Sequence, residues 1–322
     1  MKNMEQKNVI GIDIGGTTVK LAFVTYNGEI IHKWEIPTVS EGGPEKMVQD
    51  IATSIANEQR KLELSFDDFK GIGVGAPGYI SLQEGIVYEA VNIGGWRDVP
   101  LSKLLGEATG YNVRIENDAN LAALGEYWKG AGDKADNLLA YTLGTGVGGG
   151  IIANGELLHG ANGTVAELGH MTVIAEGGRN CNCGRTGCLE TEASATGIVR
   201  SAIDGIEKGR TTSLKAIYDE NGKVSAKDVF EAAAEGDKLA EDVLDHVTTV
   251  LGLAISNMAI AINPSKIVIG GGVSKAGDQL LDPLRTKFDT YTLQRTGAAV
   301  EFVIASLGND AGVIGAAYLA LH

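Results

Sequence analysis

Apolar and polar positions along the chain sort into short strand-like runs punctuated by glycine, with helical stretches between them. Residues 9–14 read as a strand that ends in Gly15-Gly16-Thr17-Thr18. A second apolar run, 19–26, closes on Asn27-Gly28, the dipeptide favoured by two-residue hairpins. Residues 29–36 supply a third strand, so the chain opens on a three-stranded meander. The same order returns later: strand 138–143, Gly144-Thr145-Gly146, strand 147–153, Asn154-Gly155, strand 156–159.

Each meander is followed by helical sequence and then by an apolar strand rich in or ending on glycine, 71–78 in the first half and 267–272 in the second. Each half closes alike. Strand 113–116 leads into Asn117-Asp118-Ala119 and a helix of small residues; strand 302–305 leads to Asn309-Asp310-Ala311 and helix 312–321. Four landmarks in one order predict an internal structural repeat. From Asn27 to Asn154 is 127 residues, and from Asn117 to Asn309 is 192, so the second half carries an insertion of 65 residues. The expected division is a small lobe, 1–117 joined by 308–322, and a large lobe, 118–307. Two α/β lobes facing each other create a cleft, where ligands bind.

Composition narrows the function classes. A chain of 322 residues is long for one core. Its net charge of −14 repels nucleic acid and anionic membrane. Residues 1–8 are polar and Asp13 interrupts the apolar run after them, so no signal peptide is expected. Segment 247–262 carries Thr248, Thr249, Ser256 and Asn257 and reads as a buried helix. Reduced cysteines without an export signal point to the cytoplasm.

All three cysteines, Cys181, Cys183 and Cys188, fall within eight residues, and His170 precedes them. Three thiolates and an imidazole complete a tetrahedral Zn²⁺ site with no position left for water, so the ion is expected to be structural.

Asp13-Ile14-Gly15-Gly16-Thr17-Thr18-Val19-Lys20 is strand–turn–strand. It is neither a P-loop nor a dinucleotide fingerprint, both of which need a helix after the glycines. Paired with Gly144-Thr145-Gly146, it is expected to form a phosphate clamp from backbone N–H groups. Thr17, Thr18 and Thr145 can add hydroxyl donors. Lys20 either neutralises phosphate charge or is a solvated strand residue. Asp13, set in an apolar strand, suits a Mg²⁺ or its water shell. Gly271 and Gly272 leave room for a flat base at the end of a strand. Asn117 and Asp118 stand at a strand-to-helix junction, where Asp118 can cap the helix, accept a proton from an attacking hydroxyl, or both. Asp310 repeats that context and is assigned no chemistry. Asn92, Glu167, His170 and Glu190 fall where they could meet a polyol.

These motifs closely resemble one family. Asp13-x-Gly15-Gly16-Thr17-x-x-Lys20, Glu116-Asn117-Asp118-Ala119-Asn120, Glu167-Leu168-Gly169-His170 and the run from Cys181 to Glu190 resemble the ROK family of sugar kinases and sugar-sensing repressors, and most of all its bacterial ATP-dependent glucokinases. The resemblance implies a two-lobed, ribonuclease-H-like, actin-like ATPase fold, with the zinc knuckle inserted in the second lobe. It implies transfer of a phosphoryl group from ATP·Mg²⁺ to a hexose, glucose foremost, with Asp118 as general base. Asn92, Asn117, Asp118, Glu167, His170 and Glu190 are implied sugar contacts, His170 binding zinc through its other ring nitrogen. Thr145 and Gly146 are expected to serve ATP and not the sugar. A homodimer is implied by the family alone. Three alternatives stay open: a kinase for fructose, allose or N-acetylmannosamine, a non-catalytic sugar sensor, and an actin-like nucleotide-driven assembly or chaperone ATPase.

Overall fold

Simple alternation gives way to near-continuous burial in β1 (Asn8–Ile14), where Val9, Ile10, Ile12 and Ile14 lose all exposure and Asp13 stays partly open. Such a strand needs cover on both faces. The computed structural model, which describes residues 6–90 and 93–322, supplies it. β1 pairs antiparallel with β2 (Thr18–Val24), and β2 with β3 (Ile30–Pro37). The chain continues through α1 (Gly43–Lys61), β4 (Phe69–Ala76), the small antiparallel sheet β5 (Tyr79–Ser81), β6 (Ile86–Glu89) and β7 (Arg97–Val99), then α2 (Leu101–Thr109), β8 (Val113–Asn117) and α3 (Asp118–Lys129). The main sheet runs β3-β2-β1-β4-β8, with β4 and β8 parallel to β1.

Its two faces are covered differently. Ile10, Ile12 and Ile14 share a core with Met47, Val48, Ile51 and Ile55 of α1 and with Leu101 and Leu105 of α2. The opposite face takes the C-terminal helix, Ala311–Leu321, at backbone distance. A Cβ on Gly11 would lie 2.1 Å from Val313 O, and one on Gly73 1.8 Å from Ala316 O. α3 packs as closely on the same helix, since a Cβ on Gly315 would lie 1.8 Å from Leu121 O.

This packing sets the chain's division. One compact unit comprises Met1–Lys134, Leu157–Val165 and Ser306–His322; the other comprises Ala135–Glu156 and Ala166–Ala305. The first break thus falls after α3, past the expected 117/118 boundary, because α3 is bound to the C-terminal helix. Glu126 of α3, 3% exposed, accepts from the N–H groups of Ala131 (2.8 Å), Ser306 (3.0 Å) and Leu307 (2.8 Å). One buried carboxylate therefore anchors two of the segments at which the chain leaves and re-enters its unit.

The second unit repeats the first. β9 (Leu138–Leu143) pairs antiparallel with β10 (Val147–Ala153), and β11 (Glu156–Leu157) lies beyond it. The insertion then contributes α4 (Leu189–Ala193), α5 (Ala195–Glu207), α6 (Leu214–Asn221) and α7 (Ala226–Ala234), followed by α8 (Lys238–Ile262), β12 (Lys266–Gly270), α9 (Asp278–Tyr291) and β13 (Glu301–Ile304). The sheet runs β11-β10-β9-β12-β13, with β12 parallel to β9 and β13 parallel to β12. Strand order matches the first sheet position for position, and β9, β10, β12 and β13 run in the same relative directions as β1, β2, β4 and β8. Among the described residues α8 is the one helix long and apolar enough to cross a membrane, but 56% of its apolar window is buried inside the protein. β11 stops two residues short of the expected end, and His159 beyond it lies in the first unit.

Candidate active site

In the first unit the turn between β1 and β2 is bolted from both sides. Gly15 N–H donates to Thr18 O (3.0 Å), Thr38 N–H to Thr17 O (2.9 Å) and Thr38 Oγ1 to Gly15 O (2.7 Å). Gly16 and Thr17 remain exposed at its tip. Asp13 faces Lys20 across the ladder, with Lys20 Nζ 3.9 Å from Asp13 Oδ2 and 3.5 Å from Asn309 O. Lys20 therefore stands within ion-pair reach of this carboxylate while its side chain stays 30% exposed. Burial raises the Asp13 carboxyl above its ordinary range, and Lys20 offsets that only in part. A divalent cation would relieve the remainder, so the residue fits the expected Mg²⁺ role.

Gly75 brings Asp13 and Asp118 together. A Cβ at this position would lie 3.6 Å from Asp13 Oδ1 and 3.7 Å from Asp118 Cα. The Asp13 carboxylate and the backbone of Asp118 thus lie beside the carboxyl ends of β1 and β4. Asp118 opens α3, and its Oδ1 accepts from Ala119 N–H (2.9 Å). The main cap is Asn117, whose side-chain oxygen accepts from Ala119 N–H (2.9 Å) and Asn120 N–H (3.2 Å) while its amide donates to Gly78 O (3.2 Å). Capping therefore falls mainly to Asn117. The twin residue Asp310 is engaged elsewhere, with Lys33 Nζ 2.8 Å from its Oδ2.

Two residues of this unit had no assigned role in the sequence reading. Glu116, 2% exposed, accepts from Asn117 N–H (2.8 Å) and Asn120 Nδ2 (2.9 Å) on Oε1, and its Oε2 meets His159 Nε2 at 2.7 Å. The one available signal was an acidic residue closing an apolar strand, since carboxylates are seldom buried unpaired. Asn92 lies outside the described residues.

In the second unit the turn between β9 and β10 is pinned to the start of α5. Gly144 O accepts from Ala195 N–H (2.8 Å), and Thr196 Oγ1 donates to Thr145 O (2.8 Å). Glu190, on α4, also reaches this turn. Its Oε2 accepts from Val147 N–H (3.0 Å), and a Cβ on Gly146 would lie 2.1 Å from that oxygen. The expected sugar carboxylate and the expected phosphate hairpin are thus in direct contact. Gly271 approaches β9 so closely that a Cβ would fall 2.5 Å from Leu143 O, and its φ is +84°. Gly272 has open space around it. Glu167 and His170 stand together, Oε2 to Nε2 3.9 Å. Desolvation pushes the Glu167 carboxyl up, His170 pulls it back, and the Glu190 charge adds to the rise.

The metal-ligating set assembles as the spacing predicts. The donor atoms of His170, Cys181, Cys183 and Cys188 all lie within 4.8 Å of one another. His170 Nδ1 is 3.5 Å from Cys181 Sγ, and the Cys183 and Cys188 sulfurs are 3.6 Å apart. Zn–S bonds of about 2.3 Å give tetrahedral edges of roughly 3.8 Å, so the set fits the ion. Burial pushes the Cys188 thiol up to about 12, whereas the Arg185 N–H holds exposed Cys183 down at about 6. Since Nδ1 belongs to the metal set, His170 keeps Nε2 for another partner. Arg185 fastens the loop to His170 O (2.7 Å), and Leu189 N–H donates to Met171 O (2.8 Å). α4, with Glu190, begins at the residue after Cys188.

The model of the family described as ROK matches residues 9–322. This chain belongs to the ROK family. It is 54% identical to a glucokinase of Halalkalibacterium halodurans over 98% of this chain and 96% of that one. It is 40% identical to a glucokinase of Thermotoga maritima, covering 98% and 97%. Among solved structures, a ROK family glucokinase from Streptomyces griseus in complex with glucose and AMPPNP superposes with a TM-score of 0.77 at 34% identity, covering 97% of this chain and 98% of that one. The actin-like two-unit architecture of this ROK chain is therefore that of its family.

Proposed function

We propose that this ROK chain transfers the γ-phosphoryl group of ATP·Mg²⁺ to glucose, giving glucose 6-phosphate. The observation that carries the reading is its 54% identity, over nearly the whole of both chains, to a glucokinase. The local geometry supports it. Asp118, held at the start of α3 beside Asp13, takes the proton of the C6 hydroxyl as that oxygen attacks phosphorus. Asp13 serves the Mg²⁺ that travels with ATP. The bolted turns at Gly15-Gly16-Thr17-Thr18 and Gly144-Thr145-Gly146 present backbone N–H groups to the phosphates, Lys20 tempers the charge, and Gly271 and Gly272 give room to the base. Asn92, Asn117, Glu167, His170 and Glu190 receive the sugar hydroxyls, which both donate and accept. His170, Cys181, Cys183 and Cys188 would hold zinc, which supplies a rigid frame rather than chemistry. Positioning and charge neutralisation provide most of the rate. A homodimer working in the cytoplasm completes the reading.

The test is coupled ADP release with ATP and a panel of glucose, fructose, mannose, allose and N-acetylmannosamine. Glucose should give the highest kcat/KM. A higher value for another hexose would overturn the sugar assignment, and hexose-independent or absent ADP release would overturn the kinase reading.

A further inference from the structure

The strand that delivers the proposed base carries, one residue before its end, a carboxylate shielded from water. Glu116 is the penultimate residue of β8 and pairs with Gly75 of β4, the residue that separates Asp13 from Asp118. Its three polar partners are of two kinds. Asn117 N–H and Asn120 Nδ2 belong to the same turn as Asp118 and move with it. They tighten the turn internally but cannot orient it against the rest of the unit. His159 is different: it comes from 43 residues away, on the segment Leu157–Val165, which belongs to the first unit while the chain on either side belongs to the second.

We propose that His159 is a positioning residue for phosphoryl transfer: acting through Glu116, it holds the Asn117-Asp118 turn in the orientation from which Asp118 takes the hydroxyl proton. The inference rests on the kinase reading above. The hydrogen bond from Nε2 is short, at 2.7 Å, and its acceptor is a buried carboxylate, the combination that makes such bonds strong and directional. The Glu116 partnership also raises the His159 pKa against the opposing effect of burial, so the charged form is favoured where it meets the carboxylate. Without His159, Oε2 is a buried anionic acceptor lacking this donor. Glu116 then rotates or takes up a proton, and Asn117 N–H and Asn120 Nδ2 lose their fixed acceptor. Small displacements of a reacting group are costly to rate while leaving ligand contacts elsewhere intact.

The experiment uses the full chain and four variants, with glucose-dependent ADP release, calorimetric glucose binding and thermal melting measured on each. Wild-type protein without glucose-dependent ADP release would sink the kinase reading and leave the positioning role unsupported. With wild type active, His159→Ala should lower kcat about 10- to 100-fold. Its KM for ATP should stay within about 3-fold, and its glucose Kd should rise by less than kcat falls, because His159 touches neither ligand and, of the sugar contacts, only Asn117 lies on the displaced turn with Asp118. His159→Gln, whose amide can donate to Oε2, should recover most of the loss. Glu116→Gln should resemble His159→Ala, and the double variant should fall no further, as expected of residues acting through one bond. Retention of kcat within 2-fold in His159→Ala would overturn the proposal. So would a uniform fall of kcat, glucose affinity and melting temperature in both His159 variants, which is the signature of a merely structural contact.

Discussion

A methyl group at position 146 would stand 2.1 Å from Glu190 Oε2, so the end of that side chain must move aside. Gly146→Ala must therefore displace Glu190 and break its hydrogen bond to Val147 N–H. The expectation from sequence alone, damage confined to ATP, gives way to a joint effect. KM for ATP should rise and calorimetric glucose affinity should fall, each about 10-fold or more, in a protein that still melts cooperatively. Unchanged glucose affinity would show that Glu190 does not face the sugar. Asp118→Asn preserves shape and removes the base, so kcat should drop about 10²- to 10⁴-fold with glucose binding kept. Asp310→Asn is the control. Its partnership with Lys33 is a surface ion pair worth about 0–1 kcal/mol, and kcat should stay within a few-fold. An equal loss in both variants would remove the distinction between the twins. Residue types and spacing made the start of α3 at Asn117-Asp118 and the clustering of His170, Cys181, Cys183 and Cys188 legible in sequence, because strand-to-helix junctions and Cys/His intervals are local signals. The Glu116–His159 and Glu190–Val147 contacts join residues 43 apart and leave no periodic trace.

At the scale of elements, glycine turns and apolar runs located every strand of both main sheets to within two residues, because turn chemistry and burial act locally there. The sheet β5-β6-β7 escaped notice: its strands are three or four residues long, and Tyr79 and Tyr88 on them are exposed. α8 shows how an element is fastened by its cap. Asp237 Oδ1 accepts from Leu239 N–H (3.0 Å) and Ala240 N–H (3.1 Å), while Oδ2 accepts from Ser213 N–H (2.6 Å) and two hydroxyls. Desolvation alone would raise its carboxyl, but these donors outweigh that and hold it at about 2. A depressed folded value means stabilisation that is present above the unfolded value of about 3.8 and fades as pH falls towards 2. Asp237→Ala should cost about 1–2 kcal/mol at pH 7. Its difference in urea midpoint from wild type should shrink between pH 4 and pH 2. A difference that stays constant over that interval would mean the carboxylate charge contributes nothing.

At the scale of the whole molecule, the knuckle joins metal binding to the helix that carries Glu190. Cys183→Ser should bring zinc below one ion per chain, lower the melting temperature, and weaken glucose binding more than ATP binding. Calorimetry on metal-stripped but folded protein decides the matter, for glucose affinity equal to that of the zinc-loaded form would sever the link. The internal repeat was readable because both halves keep their landmarks in order. The division after Lys134 was not, because it depends on α3 meeting a helix almost two hundred residues later, through Gly125 and Gly315.

That last contact bears on how the protein is made. The first sheet is synthesised early, but one of its faces is shaped for a helix that the ribosome adds only after every strand of the second sheet. Until Ala311–Leu321 arrives, Gly11 and Gly73 line an open furrow, and Val9, Ala22 and Val24 await Val313 and Ala317. The last residue of the second unit, Ala305, therefore precedes in the chain the helix that covers the first sheet. A nascent chain stalled before residue 311 would carry that furrow uncovered, a surface suited to capture by chaperones.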